Sequence, residues 1–196
     1  ELAGICQMFP RLLLPRMEPR EGDVDMEVFE AIRTILAVRK FQDKPVPDEL
    51  IHRIVEAARL TASSRNGQPW QFIVVQQRET LKKIGELAPS GPYTAEAAFA
   101  VVVAYEKESQ FGVSDGSLAI HSMMLTAWEE GIGSNWVGFA GRYGETIAPL
   151  LGLPDTYDIL AVVPFGYPVL ELGKGKKRRK SLAEVAHRER FGQPFA

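Results

Sequence analysis

Thr61-Ala-Ser-Ser-Arg-Asn-Gly-Gln-Pro-Trp-Gln-Phe-Ile-Val-Val75 joins the end of a helical pattern to a β-branched apolar run through a polar loop. Six residues of that loop, Ser63 to Gln68, hold two hydroxyls, a guanidinium and two carboxamides. Donors and acceptors in that mixture suit a bound polar ligand. They equally suit an ordinary helix-to-strand turn, because Ser, Asn, Gly and Pro are all turn formers. Composition alone favours the turn, so the rest of the chain has to decide.

Upstream, Leu50, Ile51, Ile54, Val55, Ala57 and Ala58 give a helix that starts after Pro47, with Asp48 and Glu49 in its first turn. Before it, Val28, Phe29, Ile32, Ile35 and Leu36 predict an amphipathic helix over 26–38. Downstream, the strand runs over 70–77. A short helix, Arg78 to Leu87, stops at Pro89-Ser-Gly-Pro92. Ala97 to Tyr105 is a continuous apolar run, as in a strand covered on both faces.

Asp115 to Glu130 then reads as a helix apolar nearly all round, with Gly131 as its C′ residue. Such a helix is buried in the core or between subunits, and its Met-rich face suits both. A third strand over about 133–139, a helix over about 143–151 and a fourth strand over about 157–166 follow. Strands interspersed with helices give a three-layer or α+β domain.

The totals bound the function. At 196 residues the chain suits one domain with a substantial core, and 45% apolar with 24% charged residues is a globular composition. A net charge of −2 gives no global attraction to nucleic acid or to an anionic membrane. The single cysteine, Cys6, leaves no internal disulfide framework and fits a cytoplasmic setting. His52, His121 and His187 have no ligand-like spacing, and no apolar run is long enough to span a membrane. Residues 1–25, broken by Pro10, Pro15 and Pro19, read as an N-terminal extension to a domain over 26–196, with Met26 near the natural start. An arm whose leucines dock on a partner subunit is the rival reading.

Three places gather ligand-type groups: Arg33 through Arg39-Lys40, the loop Ser63–Gln68, and Lys174-Gly-Lys-Lys-Arg-Arg-Lys180. The last places six cations in seven residues. Alone it suggests a nucleic-acid patch, but the slightly acidic chain has no nucleic-acid fold signature. A solvated segment with one or two members reaching a phosphate is the better reading. There is no dinucleotide fingerprint, P-loop or nucleophile elbow, so a bound cofactor is expected to carry the chemistry.

Four blocks, in order, resemble the FMN-dependent nitroreductase family over about 26–190. They are Ala37-Val-Arg-Lys-Phe41 with Asp43-Lys-Pro-Val46; Thr61 to Trp70; Asp115 with Gly131-Ile-Gly-Ser-Asn-Trp-Val-Gly138; and Phe165-Gly-Tyr-Pro168 with Lys177, Arg179 and Ser181-Leu182. The resemblance implies an α+β, nitroreductase-like three-layer α/β/α sandwich with a mainly antiparallel sheet. It also implies an intertwined homodimer with two FMN sites at the subunit interface, each built from both chains. It assigns the phosphate and ring edge to Arg39 and the 35–38 backbone, including Ala37. Ser63, Ser64, Asn66 and Gln68 fall to the ring, Val137 and Gly138 to backbone contacts over it, and Lys177 and Arg179 to the phosphate.

Ile35-Leu36-Ala37 stand where the family has Arg-Arg-Ser, which weakens the phosphate end; Arg33, one turn earlier, is placed to compensate. The implied activity moves electrons from NAD(P)H through FMN to a nitroaromatic, quinone or similar small acceptor by a ping-pong route. A cation near the ring is expected, Arg39 ahead of Lys40 or Arg65, and no residue is named as general acid. The alternatives are another flavin reaction on the same fold (enone reduction, dehalogenation or flavin destruction) or a non-enzymatic nucleic-acid-associated module using 174–180.

Overall fold

In a computed structural model, residues 28–138, 145–170 and 177–195 are described. The proposed extension 1–25, with Met26, lies outside them, as do Lys174 and Lys176 of the basic run. The elements run α1 (Val28–Thr34), α2 (Asp48–Arg59), β1 (Trp70–Val75), α3 (Arg78–Leu87), β2 (Phe99–Glu106) and α4 (Gly112–Glu129). After α4 come β3 (Gly133–Ser134), β4 (Val137–Gly138), α5 (Ile147–Leu150), β5 (Tyr157–Gly166) and α6 (Leu182–Val185).

The sheet has the order β1-β2-β5-β3, with β4 also on β5, and every strand pair is antiparallel. The apolar runs of β2 and β5 explain why these strands are central, because both of their faces are covered. Val101, Val103, Val163 and Phe165 point toward Ile51, Ile54, Ala119, Ile120 and Met123 of α2 and α4. Ala100, Val102, Ile159 and Val162 point the other way, toward Leu81, Ile84, Ile147 and Ala148 of α3 and α5. The result is a three-layer α/β/α sandwich, with Phe99 and Phe165 stacked at 4.8 Å in its first layer. The pairing of β2 with β5 shifts at Val103/Ala104, where Val103 faces Ala161 and Ala104 faces Ile159. Leu160 is therefore the extra residue of a bulge, which turns Leu160 and Ala161 to the same side.

Helix α4 ends as its sequence requires. Gly131 takes a φ of 71°, its N–H reaches Trp128 O, and Ile132 N–H reaches Ala127 O at 2.8 Å. These bonds satisfy the last carbonyls of the helix in a Schellman arrangement.

Several boundaries differ from the sequence reading. The opening helix stops at Thr34 rather than 38, because Ala37 and Val38 are taken up by the sheet. Ala37 bridges Ser134 in parallel, and Val38 N–H donates to Ser134 O at 2.9 Å. Its apolar stripe is also largely uncovered: Ala31 and Thr34 are buried, whereas Phe29 is 76% exposed. Strand β1 stops at Val75 and α4 starts at Gly112, three residues before Asp115. The expected third strand is split in two at Asn135-Trp136, where Asn135 turns its carboxamide to the Tyr93 hydroxyl.

Candidate functional site

The loop from Thr61 to Trp70 is strained and tied down. Arg65, Asn66 and Gln68 have φ values of 53°, 56° and 48°, while Gly67 sits at −71°. Left-handed backbone costs a residue with a side chain roughly 1–2 kcal/mol, and asparagine bears it best. Three such residues within four need compensation.

Part of it is internal. Ser63 Oγ accepts the Gln68 N–H at 3.0 Å, and Gly67 N–H reaches Ser64 O at 2.9 Å. Part comes from α4: Ser64 N–H donates to Asp115 Oδ2 at 3.0 Å, and Thr61 Oγ1 lies 2.8 Å from Ser122 Oγ. Ser63 and Ser64 are half-buried, and Arg65, Asn66 and Gln68 are exposed. Pro69 and Trp70 are buried, so the strand that follows starts from a fixed point. A groove of about 480 Å³ between α2 and β1 has Gln68 on its rim, together with His52, Arg59 and Trp70.

The cationic group forms at the other end of the molecule. Arg39 and Lys40 leave the segment that bridges Ser134 and Pro168, and both are exposed. Phe41, between those bridges, is buried, which fixes the register of its neighbours. Lys177 Nζ donates to Ile32 O, 2.5 Å away in the last turn of α1, where cations suit the helix dipole. Partial burial, reinforced by the nearby Arg179 charge, holds the Lys177 ammonium below the ordinary lysine range. Arg179 itself is exposed, and its Nη1 donates to Arg178 O at 3.0 Å.

Arg33 lies close by, but its guanidinium is turned to Glu30, with Nε–Oε2 at 2.8 Å. Val137 is buried and Gly138 half-buried on β4. Near them, Ser134 Oγ is 1% exposed as a residue and has no hydrogen-bond partner.

Thus the structure gathers Ser63, Ser64, Asn66 and Gln68 at one end, and Ala37, Arg39 and Lys177 toward the other. Within one chain the two groups do not meet. Asp115 touches the loop and Trp128 Nε1 donates to Thr34 Oγ1 at 2.9 Å, so the groups flank opposite ends of α4. Thirteen helical residues separate these contacts, about 20 Å along the axis. Neither Arg39 nor Lys177 lines the groove beside Gln68.

Sequence reasoning passed over two residues that matter here. For Asp115 the available signal is an acid in a nearly all-apolar helix, the mark of a buried polar contact. Thr61 opens the quoted loop, and the role of its hydroxyl appears only in the fold, where it has a partner in Ser122.

Among known proteins, the nitroreductase family profile matches residues 33–110 and 92–167. A Methanothermobacter thermautotrophicus protein named "Putative NADH dehydrogenase/NAD(P)H nitroreductase" is 39% identical, over 73% of this chain and 78% of its own. The Bacillus subtilis FMN reductase [NAD(P)H] is 27% identical over 84% and 74%. The FMN-dependent nitroreductase of Clostridium difficile superimposes with a TM-score of 0.75 at 26% identity, over 83% of this chain and 99% of that one.

Proposed function

The chain belongs to the nitroreductase family, and from that premise we propose that it is an FMN-dependent oxidoreductase moving electrons from NAD(P)H to a small acceptor, a nitroaromatic or quinone. The observation that carries this reading is the loop 63–68. It keeps three left-handed residues that are not glycine and sets two exposed carboxamide side chains beside two half-buried serines. Backbone strain held by named contacts is characteristic of ligand-binding positions.

The donor set fits FMN. Its phosphate dianion calls for cations, which Arg39, Lys177 and Arg179 supply, with Arg179 acting on Lys177 closely enough to shift it. The ring edge calls for alternating donors and acceptors, which Ser63, Ser64, Asn66 and Gln68 supply. Ala37, Val137 and Gly138 offer backbone, and the unpartnered Ser134 hydroxyl is a spare polar group close to them. Arg33 is the weaker member of the set, because Glu30 already holds it.

When bound, FMN supplies a ring that accepts two electrons from a nicotinamide and releases them to a second substrate. The chain's own part is electrostatic and geometric. Arg39 would hold positive charge toward the cofactor, and the loop would hold the polar groups that meet the ring. The two substrates take turns in one open slot, and solvent delivers protons.

Because the two groups lie at opposite ends of α4, one chain's loop is completed by another chain's cations, and the working unit is a homodimer. The exposed Phe29, Ile32 and Leu118 offer it an apolar surface. The test is direct. The purified protein should be yellow, release FMN on denaturation, and oxidise NAD(P)H faster when a nitroaromatic or quinone is added. A colourless protein that takes up no FMN on reconstitution overturns the reading.

A further inference from the structure

We propose that Asp115 is a positioning residue, its carboxylate holding the 63–68 loop in the left-handed form that presents Ser64 and Asn66 to the flavin. The inference rests on the FMN reading given above and adds to it the element that sets the cradle.

Asp115 is 5% exposed, so its carboxylate needs a polar partner, and the Ser64 N–H at 3.0 Å is one. A carboxylate accepting a backbone N–H makes a stronger bond than a neutral oxygen does. The position itself is rigid. Gly116, the next residue, lies so close to β5 that a Cβ there would sit 2.7 Å from Leu160 Cδ2. Leu160 is the bulged residue of β5, and the bulge presses it toward this turn of α4. A fault in the central sheet thereby fixes the height of the acid that holds the loop.

The second tie follows the same helix. Ser122, bonded to Thr61, is seven residues beyond Asp115, two turns along the same face. The start of the loop and its strained centre are therefore registered against one rigid rod. Inside the loop only short-range bonds act, and these would survive if the whole loop swung away from α4. The tie at Asp115 is what converts a locally closed loop into a placed one.

The experiment uses the full-length chain, with and without added FMN, and reads two quantities: FMN affinity and the rate of tryptic cleavage after Arg65. Losing one such bond should cost about tenfold in affinity in Asp115→Ala, with a comparable acceleration of cleavage at Arg65 and little change at other tryptic sites. Asp115→Asn keeps an acceptor oxygen and should recover most of both losses, which a role in bulk stability alone would not require.

The donor side gives an independent arm if Asp115→Ala fails to fold. Ser64→Pro removes the N–H, and Ser63 already has the extended backbone (ψ 156°) that a residue before proline adopts. Ser64→Ala keeps the N–H and should leave Arg65 protected, while Ser64→Pro should expose it. Affinity within twofold of wild type in Asp115→Ala with unaltered cleavage overturns the proposal, as does equal cleavage of the two Ser64 variants. If the wild-type chain takes up no FMN, the cofactor reading fails, and cleavage at Arg65 still decides whether Asp115 holds the loop.

Discussion

The two ends of α4 are built differently, and in the proposed site they would hold one ligand in different ways. At the N-terminal end, the loop 63–68 is shaped in advance: its backbone is strained, and its geometry is fixed by Ser63 Oγ, Asp115 and Ser122. At the C-terminal end, the segment 37–41 is fixed by two single bridges and the buried Phe41, and it sends exposed cations outward. The difference suits the chemistry proposed for each end. Hydrogen bonds to a ring edge are directional, and an error of an ångström costs most of their value. Attraction between a cation and a phosphate falls off slowly with distance, so long flexible side chains suffice. Precision is built where the ligand's polar atoms need it.

The comparison can be broken most decisively by mixing chains. Arg39→Ala and Asn66→Ala damage opposite ends, and each homodimer should bind FMN poorly. Reassorted dimers should regain about one quarter of wild-type sites, since random pairing makes half the dimers mixed, each with one undamaged site. No recovery on mixing would mean that both groups serve a site within one chain. Next in size, Arg39→Ala should weaken FMN binding by about 1.5–3 kcal/mol, the value of a hydrogen bond between charged groups. Arg33→Ala should weaken it far less, because Glu30 occupies that guanidinium. Titration of the reconstituted variants distinguishes the two, and equal losses would move the phosphate toward α1.

Gly133→Ala should cost about 1–3 kcal/mol in urea unfolding, since its Cβ would collide with the Val38 side chain. Val38 is buried and β-branched, so it cannot swing aside without cost. Hydrogen exchange should then show segment 37–41 loosened and the 63–68 loop unchanged, if the two ends are held independently.

The smallest effect is one of pH. The lowered Lys177 pKa means that its charge is lost sooner than an ordinary lysine's as pH rises. FMN affinity should fall through that range, whereas riboflavin, which lacks the phosphate, should bind without this dependence. The free protein should gain slightly in stability over the same rise, because the folded state sheds an unfavourable charge. Parallel curves for the two ligands would remove Lys177 from the phosphate.

How legible each end was in the sequence follows from the range of its interactions. The polar loop was found because its residue types are adjacent in the chain. Its left-handed backbone was not, since Gly67, the residue best suited to positive φ, is not the one that adopts it. The extent of α1 was overestimated because Ile35, Leu36 and Val38 continue a helical pattern. The competing bond, from Val38 to Ser134, spans nearly a hundred residues and leaves no local trace. Asp115 had a faint signal as the acid in an apolar helix, but its partner lies fifty-one positions away.

Local sequence was enough for the order of elements, the two-faced burial of β2, the Gly131 stop of α4 and the chemical kinds of side chain at each end. All of these follow from apolar spacing and from properties of neighbouring residues. Only long-range packing placed the loop and the cation-bearing segment at opposite ends of α4, joined Ala37 to the sheet, and set the turn that carries Asp115 against a bulged leucine. These depend on strand register and on the packing of segments distant in the chain, which no local propensity encodes.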